Sequence, residues 1–211
     1  MWDLQKQLHS AVVADGSKHY LILTEHKPVI TIGKSGNQSN LLVNSGTLSK
    51  QGIDVIENDR GGDITFHGPG QIVGYPILNL AHFKKDIHWY LRTLEELIIN
   101  TLAQLGLKAQ RNKGLTGVWI NNRKICAIGI KTSRWVTMHG FALNVNTNLD
   151  YFNLIVPCGI SDKGVTSISH ELGNTIEQNN VINILISQFQ DIFQVNTNSG
   201  NIHTKTIKNI E

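Results

Sequence analysis

The chain of 211 residues carries 40% hydrophobic and 17% charged side chains, which suits one globular domain with a real core and excludes a disordered protein. Its formal net charge of +3, with no run of lysine and arginine, gives no sign of a nucleic-acid partner, although an acidic protein partner is compatible with it. The two cysteines, Cys126 and Cys158, are too few for a disulfide scaffold or a cysteine zinc site.

Taken in chain order, Leu4, Leu8 and Val12 recur every four residues and predict a helix over 3–14, followed by strands at Tyr20 to Thr24 and Val29 to Ile32. Further strands are expected at Val55 to Ile56, Ile72 to Leu80, Thr116 to Ile120, Lys124 to Lys131 and Trp135 to Val145. Between them, Leu91, Leu94, Ile98, Leu102 and Leu105 define the apolar face of a helix from His88 to Leu105, with Asp86 as N-cap and Gly106 as stop. Turns are expected at Asn121-Asn122-Arg123 and Thr132-Ser133-Arg134. A second apolar helix, Val181 to Phe193, closes the pattern, and the polar stretch beyond residue 195 reads as a tail or an edge element. The reading is therefore one domain over 1–195 with 196–211 appended, in which helices pack on a sheet. The apolar runs, such as Leu97-Ile98-Ile99, are far short of a membrane span and the N-terminus lacks a signal-peptide pattern, so a cytoplasmic location is expected.

Chemistry concentrates in the segment RGGDITFHGPGQIVGYP, residues 60–76, where glycines stand at 61, 62, 68, 70 and 74 and prolines at 69 and 76. Glycine admits positive φ and lets another group approach the main chain, so this density argues for a bound molecule against the backbone. The spacing fits neither dinucleotide nor P-loop phosphate sites. A groove for an extended, uncharged ligand suits it better, with Ile64, Phe66 and Ile72 as apolar walls and Thr65 and His67 as hydrogen-bonding groups. A purely structural loop is the rival reading.

Of the two thiols, Cys126 follows strand alternation and reads as a core residue, whereas Cys158, between Pro157 and Gly159, is the better nucleophile candidate. Local sequence alone nonetheless weighs toward a structural cysteine. None of the nine histidines pairs with a carboxylate at a diagnostic spacing, and Lys124, beside the Asn-Asn-Arg turn, reads from composition alone as a solvated hairpin lysine.

Four ordered segments change this reading: residues 60–76, Arg-Lys-Ile-Cys-Ala-Ile-Gly at 123–129, His-Gly-Phe-Ala-Leu-Asn-Val-Asn at 139–146, and Pro-Cys-Gly at 157–159. Together with Glu25 to Gly33 they resemble, over nearly the whole chain, the lipoyl(octanoyl) transferases. The resemblance implies an acyltransferase of lipoate biosynthesis that moves an octanoyl or lipoyl group from acyl carrier protein to a lipoyl-domain lysine through a cysteine thioester. It implies the α/β (α+β) fold shared with biotin and lipoate protein ligases, a mixed sheet with packed helices, and makes 1–195 a single catalytic domain. It also gives Cys158 the role of acyl acceptor and Lys124 that of the lysine that lowers its pKa and shuttles protons. Lining of the acyl site falls to Arg60, Gly61, Gly62, Asp63, Ile64, Thr65, Phe66 and His67, to Ala127, Ile128 and Gly129, and to Gly140, Phe141 and Ala142. Phe66 departs from a common tyrosine, and the chain opens inside what matches the family's first helix, so a preceding edge strand is expected to be absent.

Implied partners are octanoyl-acyl carrier protein as donor, and as acceptors the lipoyl domains of 2-oxoacid dehydrogenase complexes and the glycine cleavage H protein. Neither a metal nor an organic cofactor is expected, because the acyl group arrives activated. Three alternatives stay open: an ATP-dependent lipoate protein ligase, a non-catalytic acyl-chain binding protein, and a thioesterase.

Overall fold

A computed structural model describes residues 1–16, 18–156, 163–202 and 205–210. Cys158 lies outside the described residues. The chain begins with helix α1 (Trp2–Asp15), then strands β1 (His19–Thr24) and β2 (Val29–Ile32). A short helix α2 (Ser45–Lys50) precedes β3 (Asp54–Glu57), β4 (Ile64–His67) and β5 (Gln71–Ile77). Helix α3 (Ile87–Gln104) leads into β6 (Gln110–Asn112), β7 (Leu115–Ile120), β8 (Arg123–Ser133) and β9 (Val136–Asn144). The remaining elements are β10 (Gly164–Val165), α4 (Ile168–Leu172), α5 (Gln178–Phe193), β11 (Thr197–Ile202) and β12 (Lys205–Ile210).

The described strands form two sheets. The larger runs β11-β12-β1-β5-β9-β8-β7-β6, antiparallel throughout except that β10 joins β8 in parallel. The smaller has the order β3-β2-β4 and is mixed, β2 pairing with β3 in parallel and with β4 antiparallel. The class is therefore α/β with a mixed sheet and packed helices. Helices α3 and α5 cover one face of the large sheet through Leu94, Leu97, Ile98, Leu102, Leu185 and Phe189, all fully buried. Helix α1 covers the other face, placing Val12 against Ile22, Val73 and Ile77. The small sheet has its own apolar cluster, in which Phe66 stacks on Tyr151 at 4.6 Å and meets Phe152 edge-on.

Local chemistry explains the boundaries. Asp86 caps α3 by accepting from the Trp89 N–H at 3.0 Å, as its position before the apolar periodicity demands. The turn expected over 132–134 falls instead at Arg134 and Trp135, both at positive φ (52° and 63°), because β8 runs on to Ser133. Strand β5 stops at Ile77 rather than Leu80, since Asn79 caps a 3₁₀ turn by accepting from the Ala81 N–H. The segment expected to be a glycine loop contains β4, with Gly62 (φ 86°) and Gly70 (φ 82°) making the turns before and after it. The polar stretch after residue 195 runs into the β11–β12 pair, and β12 adds to the edge of the large sheet beside β1. Among the described residues no helix is long and apolar enough to cross a membrane.

Candidate functional site

A cavity of about 640 Å³ lies between the two sheets, within the range of small-molecule sites. Strand alternation decides which side chains reach it. From β4 the side chains of Thr65 and His67 do so, while Phe66 turns the opposite way into the small sheet's core and forms no wall, and Ile64 borders the cavity with its side chain in that same core. From β5 Val73 and Tyr75 contribute, and Ile72, expected as a wall, packs into the main core for the same reason. Arg60, Gly62, Asp63 and Ile64 line the cavity, as do Ala127, Ile128 and Gly129 of β8 and Gly140, Phe141 and Ala142 of β9. Gly61 is not in the lining; its N–H donates to the Ile130 carbonyl at 2.8 Å, joining the signature segment to β8.

Lys124 lines the cavity and is only 8% exposed, not the solvated hairpin lysine that turn composition alone suggests. Its Nζ sits 4.7 Å from the centre of the Trp119 ring, within cation–π range. Its burial has two causes that lie outside its local sequence: β10 pairs alongside Arg123 and Lys124, and the Thr166 N–H donates to the Lys124 carbonyl at 2.9 Å. The chain that carries Cys158 is anchored on both sides. Before it, the Val156 N–H donates to the Asn40 carbonyl at 2.7 Å, and after it Val165 stands in register with Lys124. Cys126 is buried on the main-core side of β8, where burial pushes its thiol well above the ordinary range, so it offers no nucleophile.

The polar groups of the cavity are held by one another. Arg60 is buried and donates from Nη2 to the Thr31 carbonyl at 2.7 Å and to the Thr31 hydroxyl at 2.9 Å. The same hydroxyl lies 3.3 Å from Nε2 of His67, whose Nδ1 is 2.9 Å from Gln71 Oε1. Gln71 Nε2 donates in turn to the Phe66 carbonyl and, at 2.9 Å, to Asn144 Oδ1, and Asn144 Nδ2 donates to the Thr166 carbonyl at 2.9 Å. Desolvation pushes His67 down to about 3, with His26 beside it adding to the effect, so the ring is neutral at ordinary pH.

Two further lining residues, Tyr75 and His139, are not among those expected from the sequence. Tyr75, hydrogen-bonded to His26 Nε2 at 2.7 Å, lies within the signature segment and could have been found there. His139 is different: its positive φ of 58°, its N–H bound by Gln5 and its Nε2 bound by Asp59 are all long-range features. Among the described residues no group of three or more histidine, cysteine or acidic side chains is placed to hold a metal ion.

The cavity between the two sheets, with one buried lysine at its wall beside β10, is the candidate site of this fold. The chain belongs to the lipoyl protein ligase A/B catalytic domain family, whose model matches residues 1–190. It is 48% identical over 210 residues to the octanoyltransferase of Christiangramia forsetii, covering 92% of this chain and 90% of that protein. It is 44% identical over 208 residues to the octanoyltransferase of Clostridium kluyveri, covering 99% and 87%. Among solved structures, lipoate-protein ligase A bound with ATP superposes with a TM-score of 0.74 at 20% identity, over 88% of this chain and 78% of that one. The bi-partite lipoate protein ligase of Thermoplasma acidophilum gives 0.74 at 19% identity, over 94% and 82%. These two likenesses concern the fold.

Proposed function

We propose that this protein is an octanoyltransferase of protein lipoylation, carrying an octanoyl group from acyl carrier protein to the target lysine of a lipoyl domain. The observation that carries the reading is Lys124: a buried lysine on the wall of an apolar cavity, paired through its strand with the segment that follows Cys158. Identity of 44–48% to curated octanoyltransferases over nearly the whole chain supports the same activity.

The chemistry runs in two balanced steps. The Cys158 thiolate attacks the donor thioester carbonyl, a new carbon–sulfur bond forms, and the carrier thiolate leaves, taking a proton from the Lys124 ammonium. The neutral amine of the acceptor lysine then attacks the Cys158 thioester, and the amide forms as the cysteine thiolate departs. Lys124 takes up the proton that the amine loses, which restores the ammonium for the next turnover. Val73, Ala127 and Ala142, with the bare backbone of Gly129 and Gly140, face the acyl chain in this reading, and neutral His67 hydrogen-bonds without exchanging protons. Acceptors are the lipoyl domains of 2-oxoacid dehydrogenases and the glycine cleavage H protein.

The test is intact-protein mass after incubation with octanoyl-acyl carrier protein, followed by an apo lipoyl domain. A hydroxylamine-labile octanoyl adduct on Cys158 that vanishes as the domain gains octanoyl is the expected result. Transfer by Cys158→Ala without an adduct would overturn the covalent route, and transfer only from free octanoate with ATP would identify a ligase instead.

A further inference from the structure

Helix α3 sends one carboxylate into the core. Glu95 is 1% exposed, on a face otherwise made of Leu94, Leu97, Ile98 and Leu102. A carboxylate there is strongly disfavoured unless each oxygen is bound. One oxygen, Oε2, accepts from Arg92 Nη1 at 2.6 Å and from Arg111 Nε at 3.0 Å. The other, Oε1, accepts from the backbone N–H of Gly117 in β7, at 3.1 Å.

Gly117 is the irregular point of that strand. Its φ of 117° is closed to ordinary side chains, and a Cβ there would stand 2.6 Å from the Cys126 carbonyl oxygen and 3.5 Å from Cε of Lys124. Just beyond it the β7–β8 register shifts: Val118 faces Cys126, but Trp119 faces Lys124, so β8 carries one extra residue. Such a bulge re-aims a side chain. Here the re-aimed side chain is Lys124, whose stem lies along the bare Gly117 backbone and whose Nζ lies over Trp119.

We propose that Glu95 is a positioning residue for the transfer reaction. By holding the Gly117 N–H it fixes the backbone against which Lys124 lies, and so fixes where the ammonium meets the acyl group. This rests on the reading of Lys124 as the proton carrier. The two arginines are roughly half exposed and can turn to water if the carboxylate is lost. Glu95→Gln therefore forfeits the ion pairs but keeps an oxygen for Gly117, whereas Glu95→Ala and Glu95→Met forfeit both.

The experiment is steady-state transfer with the full chain, at a temperature where thermal melts show every variant folded. Loss of the acceptor is expected to lower kcat by about a hundredfold with KM for octanoyl-acyl carrier protein within about twofold, and Glu95→Gln to stay within about fivefold of the parent kcat. Glu95→Met, which preserves side-chain length without a charge, stands in if Glu95→Ala does not fold. Equal kcat for Gln and for the acceptor-free variants would overturn the proposal, because a role confined to ion pairing treats them alike. Lys124→Ala separates the two readings: if it retains parental kcat, the proton-carrier reading falls; if it is inactive while Glu95→Ala and Glu95→Met turn over normally, only the positioning role falls.

Discussion

Two backbone carbonyls fix the protonation of His67. The Phe66 and Thr166 carbonyls can only accept, so the amide nitrogens of Gln71 and Asn144 must face them, and Gln71 Oε1 is left to face the imidazole. Nδ1 of His67 therefore carries the proton, and Nε2 accepts from the Thr31 hydroxyl, which itself accepts from Arg60. A ring in this arrangement has no site for a second proton without breaking the chain of donors. In the unfolded chain His67 binds a proton as pH falls through 6.5, but the folded protein does not until about 3. Stability is thus intact above pH 6.5 and declines as pH falls toward 3, by on the order of 2 kcal/mol between pH 6.5 and 4.5 from this group. Urea midpoints for the parent and His67→Gln should show it: the variant is less stable at pH 7.5 and has a flatter acid limb. Parallel curves would exonerate His67. His19, pushed down to about 4 by burial, leaves a residual slope of the same sign in both proteins.

Helix α3 shows what the amino-acid sequence reveals by itself. Its apolar spacing, its cap and its stop are all contained between Asp86 and Gly106, and the structure places its ends one residue from those expected. Strand β2 matches its expected bounds because four consecutive β-branched residues leave little choice. Strand β4 was illegible for the opposite reason: glycines and a proline flank a four-residue run whose partner, β2, lies some thirty residues upstream. In the candidate site, Lys124 needed family resemblance to be singled out, since its burial comes from β10 and from a bulge, neither of which is local. Glu95 was hidden within an apolar face. The cap of α3 supplies a test free of the site: Asp86→Ala removes the acceptor for the Trp89 N–H and should cost about 1 kcal/mol. That corresponds to a drop in Tm of about 2–4 °C for a chain of this size, with the transfer rate at assay temperature unchanged. A larger fall would mean that the carboxylate also holds the preceding loop, through its ion pair with Lys84 Nζ at 3.3 Å.

The two sheets meet across the cavity, and their relative placement sets its width. Arg60 and His67 stand on one side and Asn144 on the other, with Gln71 touching both the small sheet, through the Phe66 carbonyl, and the large sheet, through Asn144. From Asn144 the chain of bonds continues to Thr166, whose N–H binds the Lys124 carbonyl. One buried polar path therefore connects the glycine signature to the strand that bears the lysine. If the path acts as a unit, its members will not contribute independently. Gln71→Met strands the His67 Nδ1–H, the Phe66 carbonyl and Asn144 Oδ1, and Asn144→Leu strands the Thr166 carbonyl, each orphaned group costing about 1–3 kcal/mol. The bond between Gln71 and Asn144 is lost in either single variant, so the double variant should fall short of the summed losses by about 1 kcal/mol. Urea unfolding of the four proteins measures this directly. Additivity within about 0.5 kcal/mol would mean that the sheets are held by their separate apolar cores and that the polar path merely satisfies itself. Coupling would instead make Gln71 a hinge pin, whose loss loosens the cavity at both walls together.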